Sequence, residues 1–177
     1  MKKWWITWCF LMAGIAVSAQ SKTYEVGGMF GFWHDSNGHE TTFDLNPDFS
    51  CNLSDTWGVG LMLEYSHVKH DAGKVNRYGV RPYVTWTFFS KGDLSFYVDA
   101  LAGWSFIRPS EGKHGHMAEV GFEPGVSYAL SDRINVQASV GFLGYRHVDS
   151  GFSDYWKDGW GFQLDGNTLE FGITYVL

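Results

Sequence analysis

The chain has little of what usually staples or announces a fold. It holds 2 cysteines in 177 residues. Cys9 falls inside an N-terminal apolar run with no lipoprotein cleavage box around it, which leaves Cys51 alone. An intramolecular disulfide or a thiolate metal cluster is therefore excluded. Basic residues are scarce, 13 Lys and Arg against 19 Asp and Glu, and no basic run interrupts the sequence. That balance argues against nucleic acid as a partner. Long apolar stretches are missing too, with one exception. Lys2 and Lys3 precede an apolar run from Trp4 to Val17, and Val17-Ser18-Ala19 is a small-residue cleavage site. Residues 1–19 read as a secretory signal peptide, too short to span a membrane as a helix, with residues 20–177 as the mature domain. Loss of Lys2 and Lys3 takes the formal net charge from −6 to −8.

What the chain does have is aromatic residues, 18% of the total, and 22 glycines. These sit in a pattern of period two, which is the signature of strands with two unlike faces. Eight spans carry it: Tyr24–His34, Thr41–Leu53, Trp57–His67, Tyr78–Phe88, Leu94–Ile107, Ala118–Tyr128, Ile134–Tyr145 and Leu169–Leu177. One face carries residues such as Tyr24, Val26, Phe30 and Phe32 in the first span and Val136, Val140 and Phe142 in the seventh. The other carries Gly, Ser, Thr and every charge within the spans: Glu25, Asp44, Asp48, Glu64, Arg81, Asp99, Glu119, Glu123 and Glu170. Eight acids and one base on a shared face must seek partners, so the expectation is a network centred on Arg81, with Glu64 and Asp99 nearest to it.

The connections alternate in length. Asn52–Thr56, Ser90–Asp93 and Leu130–Arg133 are tight turns, whereas Asp35–Glu40, Lys69–Arg77, Arg108–Met117 and Arg146–Asn167 are longer. An even strand count with short and long connections in alternation is the layout of a membrane barrel, with short periplasmic turns, longer extracellular loops and both termini periplasmic. Leu45-Asn46-Pro47, Val80-Arg81-Pro82 and Phe122-Glu123-Pro124 repeat one pattern on alternate strands. A proline inside a paired strand removes a ladder bond, so a bulge is expected at each.

Which face points inward separates two proteins. An inward apolar face would make a secreted, lipocalin-like binder of an apolar ligand. An outward one makes a transmembrane barrel. The interior of an eight-stranded barrel is only wide enough for side chains to fill, and the apolar face has an aromatic residue on every strand. The polar face, rich in Gly and hydroxyls, fits that space. Aromatics also gather at the strand ends, with Tyr24, Trp57, Phe88, Phe96, Tyr128 and Tyr175 on the turn side and Phe32, Tyr65, Tyr78 and Trp104 on the loop side. These are the girdles expected at membrane interfaces. The sequence thus predicts an all-β fold, an eight-stranded antiparallel up-and-down transmembrane β-barrel.

The proline pattern, the Leu-Ser-Asp turns at Leu53 and Leu130, and the closing Asn167-Thr168-Leu169-Glu170-Phe171-Gly172-Ile173-Thr174-Tyr175 resemble the outer-membrane β-barrel domain family, the OmpA/OmpX-like porin superfamily of Gram-negative bacteria. The resemblance implies insertion by the barrel-assembly machinery, contact with outer-membrane lipid and lipopolysaccharide, and a role in envelope integrity, surface interaction or minor permeation, without cofactor. The chain departs from the family in ending on Leu177 rather than an aromatic residue.

Candidate chemistry is sparse. His34-Asp35-Ser36-Asn37 resembles the His-x-Ser-Asn motif of lipid A deacylases, with His34 and Ser36 as candidate catalytic residues and Asp165 as a distant acid. That family carries its motif on a late strand, and the same run is ordinary turn chemistry. A lipid-modifying hydrolase is therefore the alternative to a non-enzymatic barrel. His114-Gly115-His116 offers two imidazoles without a third ligand, so no metal site is expected. Phe152, Tyr155, Trp156 and Trp160 form an aromatic set in the last loop, suited to an extracellular partner or to folding over the barrel mouth.

Overall fold

A computed structural model describes residues 22–35, 40–70, 73–153, 155–164 and 168–177. The segment read as a signal peptide lies outside them. Among the described residues there are ten strand segments: β1 (Thr23–Asp35), β2 (Glu40–Asn52), β3 (Trp57–His70), β4 (Gly73–Lys91), β5 (Leu94–Pro109), β6 (Gly115–Ser131), β7 (Ile134–Val140), β8 (Phe142–Val148), β9 (Gly159–Gln163) and β10 (Leu169–Val176). Each pairs antiparallel with its neighbours, and β10 returns to β1 through Glu25↔Val176 to Phe30↔Phe171, closing a barrel of eight strands. β7 with β8, and β9 with β10, each make up one broken strand of that barrel. Traced around from Phe30, the pairing reaches β6 at His116 in one direction and at Val126 in the other, a stagger of ten residues. Such a stagger accompanies the strand tilt of small closed barrels.

The apolar face points outward. Phe32 is 66% exposed, Ile173 57% and Leu63 54%, whereas Arg81 and Glu64 are each 5% exposed inside. An apolar ligand chamber of the lipocalin kind is thereby corrected: the interior is polar, and the apolar side chains surround the barrel. Girdle aromatics touch across strands, Trp57 with Trp86 at 6.4 Å on the turn side and Tyr65 with Tyr78 at 5.4 Å on the loop side.

Three differences from the sequence reading have physical reasons. First, the strands run beyond the expected spans at the loop end. β4 has 19 residues, where about 9–11 cross a bilayer. Residues expected as loops between Lys69 and Arg77 instead extend the β3–β4 hairpin, because the alternation continues through Val75 and Arg77. Second, no register shift occurs at Pro47 or Pro82. All three repeated prolines project onto the exposed outer face. Pro47 and Pro82 simply leave a gap in the ladder toward the next strand. The irregularities lie at Thr87/Phe89 and Ala129/Ser131, near the turns, and opposite Glu123–Pro124, where β7 breaks from β8. Third, that break sits at Gly141, whose φ of +86° is open to glycine at little cost. The break reverses the facing of β8, so Phe142, expected outside, is 5% exposed and buried in the interior.

Candidate functional site in the barrel lumen

Two cavities occupy the interior. One, about 340 Å³, opens toward the loop end, and the other, about 350 Å³, toward the turn end. Between them lies a waist of paired charges. The Arg81 guanidinium stands 2.8 Å from Glu123, 3.6 Å from Glu64 and 3.8 Å from Glu119, and its second amino group meets the Met62 sulfur at 3.0 Å. One planar fork thus serves three carboxylates, as the geometry of guanidinium permits. Asn46, 2% exposed, donates to Glu170 at 3.0 Å. The three residues Asn46, Arg81 and Glu123 each directly precede a repeated proline. A proline holds the preceding residue extended, and here that fixes an inward side chain at the waist.

Two further bases join the network, and the sequence reading missed both. Arg77 lies 3.3 Å from Glu64, and Arg146 lies 2.9 Å from Glu119 and packs 4.7 Å from the Phe142 ring. Arg77 falls in a stretch that reads as a loop, although it keeps the phase of Gly79 and Arg81. Arg146 enters the lumen only because Gly141 reverses the strand's facing. The run Val140-Gly141-Phe142-Leu143, which breaks the alternation, is the available signal.

The expected Arg81–Asp99 pair does not form. Asp99 accepts from Thr85 at 2.6 Å, on the turn side of the waist. Nearby, Asn52 donates to Glu25 at 2.8 Å and the Tyr83 hydroxyl donates to Asp48. Asp44 lines the loop-end cavity with Glu64 and Glu170. The nine expected network residues are therefore split, with Glu64, Glu119 and Glu123 on Arg81, Glu170 on Asn46, and Glu25, Asp48 and Asp99 on neutral donors. Tyr83 lies over Gly60 on the neighbouring strand, and Tyr97 over Gly125, where a β-carbon at either glycine would collide with the ring.

The last connection folds back over the loop-end mouth. Phe152, 7% exposed, packs with Val75, Ile107, Met117 and Val148, and Tyr155 and Trp156 lie against that cluster. Trp156 covers Arg77 at 5.6 Å. Phe152 is thus not a surface aromatic, because the apolar inward residues above the waist leave a site that its ring fills. Trp160 is separate from the cap, being 81% exposed on β9 and 5.1 Å from Tyr145.

The remaining candidates lie apart from the lumen. His34 is exposed at the end of β1 and shares a 2.9 Å hydrogen bond with Thr41. Ser36, Asn37 and Asp165 lie outside the described residues. His114 and His116 pack on Phe106 at 5.2 and 5.5 Å, and no group of three metal-ligating side chains occurs among the described residues.

Several solved structures share this architecture. A major outer membrane protein of Thermus thermophilus superposes with a TM-score of 0.57 at 11% identity, over 89% of this chain and 100% of that one. Neisserial surface protein A gives 0.53 at 12% identity over 88% and 93%, and the N-terminal β-barrel domain of Pseudomonas aeruginosa OprF gives 0.51 at 17% over 90% and 98%. The fold is that of small outer-membrane β-barrels. No protein-family model and no curated protein matches the chain. At these identities the likeness shows the outer-membrane barrel fold.

Proposed function

We propose that this protein is a small outer-membrane barrel, with turns and termini in the periplasm and the extended hairpins outside, that acts as a structural or surface-interaction element of the envelope. The observation that carries this reading is the combination of an apolar exterior with a lumen closed at its waist by Arg81 and its carboxylates. A waist of paired ions filled by side chains leaves no continuous aqueous path, and the open channels of this class need about 16 strands. The barrel-assembly machinery inserts it, lipid surrounds it, and the hairpin ends present it to an external partner. In this reading the protein is not an enzyme, and His34 is a strand-end residue.

Reconstitution tests the proposal. The full mature chain, refolded into vesicles, is expected to run with a heat-modifiable shift on gels. In planar bilayers it should show no stable, large conductance steps. Recovery as a soluble periplasmic protein, or porin-sized steps, would overturn it.

A further inference from the structure

On the outer face, the loop-end aromatics continue upward into a basic tier. On β3 the outward positions run Tyr65, His67, Lys69, on β4 they run Tyr78, Asn76, Lys74, and on β5 they run Phe106, Arg108. Lys69 pairs directly with Lys74 across β3 and β4, and Asn76 pairs with Arg108 across β4 and β5. Directly opposite β-carbons stand about 4.5–5.5 Å apart and diagonal neighbours about 7–8 Å, so three cations share one small area. All three are exposed, and none makes an ion pair among the described residues. Like charges directly opposite each other destabilise a sheet. On a chain of net charge −6, such a pair, with no acid paired to it among the described residues, offers a site to an anion from outside.

We infer that Lys69, Lys74 and Arg108 form a binding site for the phosphate groups of lipid headgroups in the leaflet around the loop end. The height fits, because the tier lies one to two side-chain repeats above Tyr65, Tyr78 and Phe106, where an interfacial girdle meets the headgroups. The chemistry fits as well. Arg108 offers a planar fork and the lysines point charges, the two ways in which proteins hold phosphate. His67 and Asn76 sit beneath the cations, joined to each other at 2.8 Å, which holds the tier's base in place. Glu111, in the turn beyond β5, makes no ion pair with the three cations. The inference rests on the membrane reading above and adds a partner to it.

The test uses the full mature barrel in phosphatidylcholine nanodiscs doped with diphosphorylated lipid A, with retained lipid counted by native mass spectrometry. Wild type should keep phosphorylated lipid A about tenfold more strongly than the triple variant K69Q/K74Q/R108Q, about 1.4 kcal/mol. Phosphatidylcholine retention should be equal in both, and excess inorganic phosphate should not displace the lipid. The three substitutions are surface changes, and an unaltered heat-modifiable shift verifies the fold. Equal retention by wild type and variant, or equal retention of dephosphorylated lipid A, overturns the inference and leaves the membrane barrel standing. Failure of wild type to insert at all overturns both.

Discussion

The two halves of the lumen solve one problem differently. The loop-end cavity is lined by Asp44, Glu64, Glu119, Glu123 and Glu170 together with Arg77, Arg81, Arg146 and Lys157. The turn-end cavity is lined by Glu25, Asp48, Asp55, Asp93 and Asp99 with no base at all. At the waist, the Glu64 and Glu119 side chains are nearly sealed, 1% and 2% exposed. Charges so enclosed need ionic partners, since an isolated buried carboxylate is very costly. Below it, the cavity reaches the turns through Ser54, Asp55, Gly92 and Asp93. Water and neutral donors are enough there. Enclosure sets the need for a base at the waist, while Glu25, 8% exposed below it, is held by a neutral donor, Asn52.

The largest expected effect comes from removing the ion that the closed half depends on. Arg81→Ala leaves Glu123, Glu64 and Glu119 sharing what Arg77 and Arg146 can reach. Breaking a well-buried network by deleting one partner costs on the order of 3–5 kcal/mol. Urea unfolding in lipid vesicles should register a loss of that size. A midpoint equal to wild type would mean that Arg81 lies in open water and that the two halves do not differ.

Next come substitutions that place a new arginine. Val98 is on the outer face, one repeat inward from the turn-side aromatic Phe96 and between Trp86 and Pro124 in the ladder. Val98→Arg should cost about 2 kcal/mol, between the penalty for a cation at the bilayer midplane and the smaller one near the interface. Ser95→Arg enters the acid-only cavity and should cost much less than Val98→Arg, because it meets carboxylates that lack a base. Gly103→Arg goes the other way, since a side chain there meets Glu119 at 3.0 Å already at its β-carbon. If Ser95→Arg destabilises as much as Val98→Arg, the turn-end cavity is too narrow or too dry for the role assigned to it.

Much of this is legible from residues alone, and the rest is hidden for identifiable reasons. The alternation places the inward acids and the outward aromatics, since a one-residue error flips a whole strand and the chosen phase leaves no charge outside within the eight spans. It fails for Arg146 and Phe142 because a single positive-φ glycine resets the phase, which period counting does not anticipate. It fails for Arg77 because long connections look like loops, while strands that project beyond a membrane keep alternating without needing to. The Arg81–Asp99 expectation treats neighbouring strands as level. Register instead pairs Asp99 with Thr85, while the long Arg81 side chain reaches Glu119 and Glu123 of β6. The prolines mark the waist in the sequence itself, since Asn46, Arg81 and Glu123 each precede one.

The smallest predicted effect is also the most discriminating. Thr85 donates to Asp99 at 2.6 Å, and no base lies among the residues lining that cavity. Thr85→Val keeps the shape and β-branching while deleting the hydroxyl. In a sealed site this would strand an ionised carboxylate, and a hydrogen bond to a charged group is worth about 1.5–3 kcal/mol. In a cavity that opens to water, a solvent molecule takes the donor's place at little cost. The expected loss is therefore under about 1 kcal/mol, at the low end for a hydrogen bond, in the same vesicle unfolding assay. Ser105→Ala supplies the matching measurement at the waist, where Ser105, 1% exposed, donates to the enclosed Glu64 at 3.2 Å. Ser105→Ala should cost more than Thr85→Val, even though Arg77 and Arg81 still hold Glu64. The reverse order would place the water on the other side of Arg81 and invert the division of the lumen.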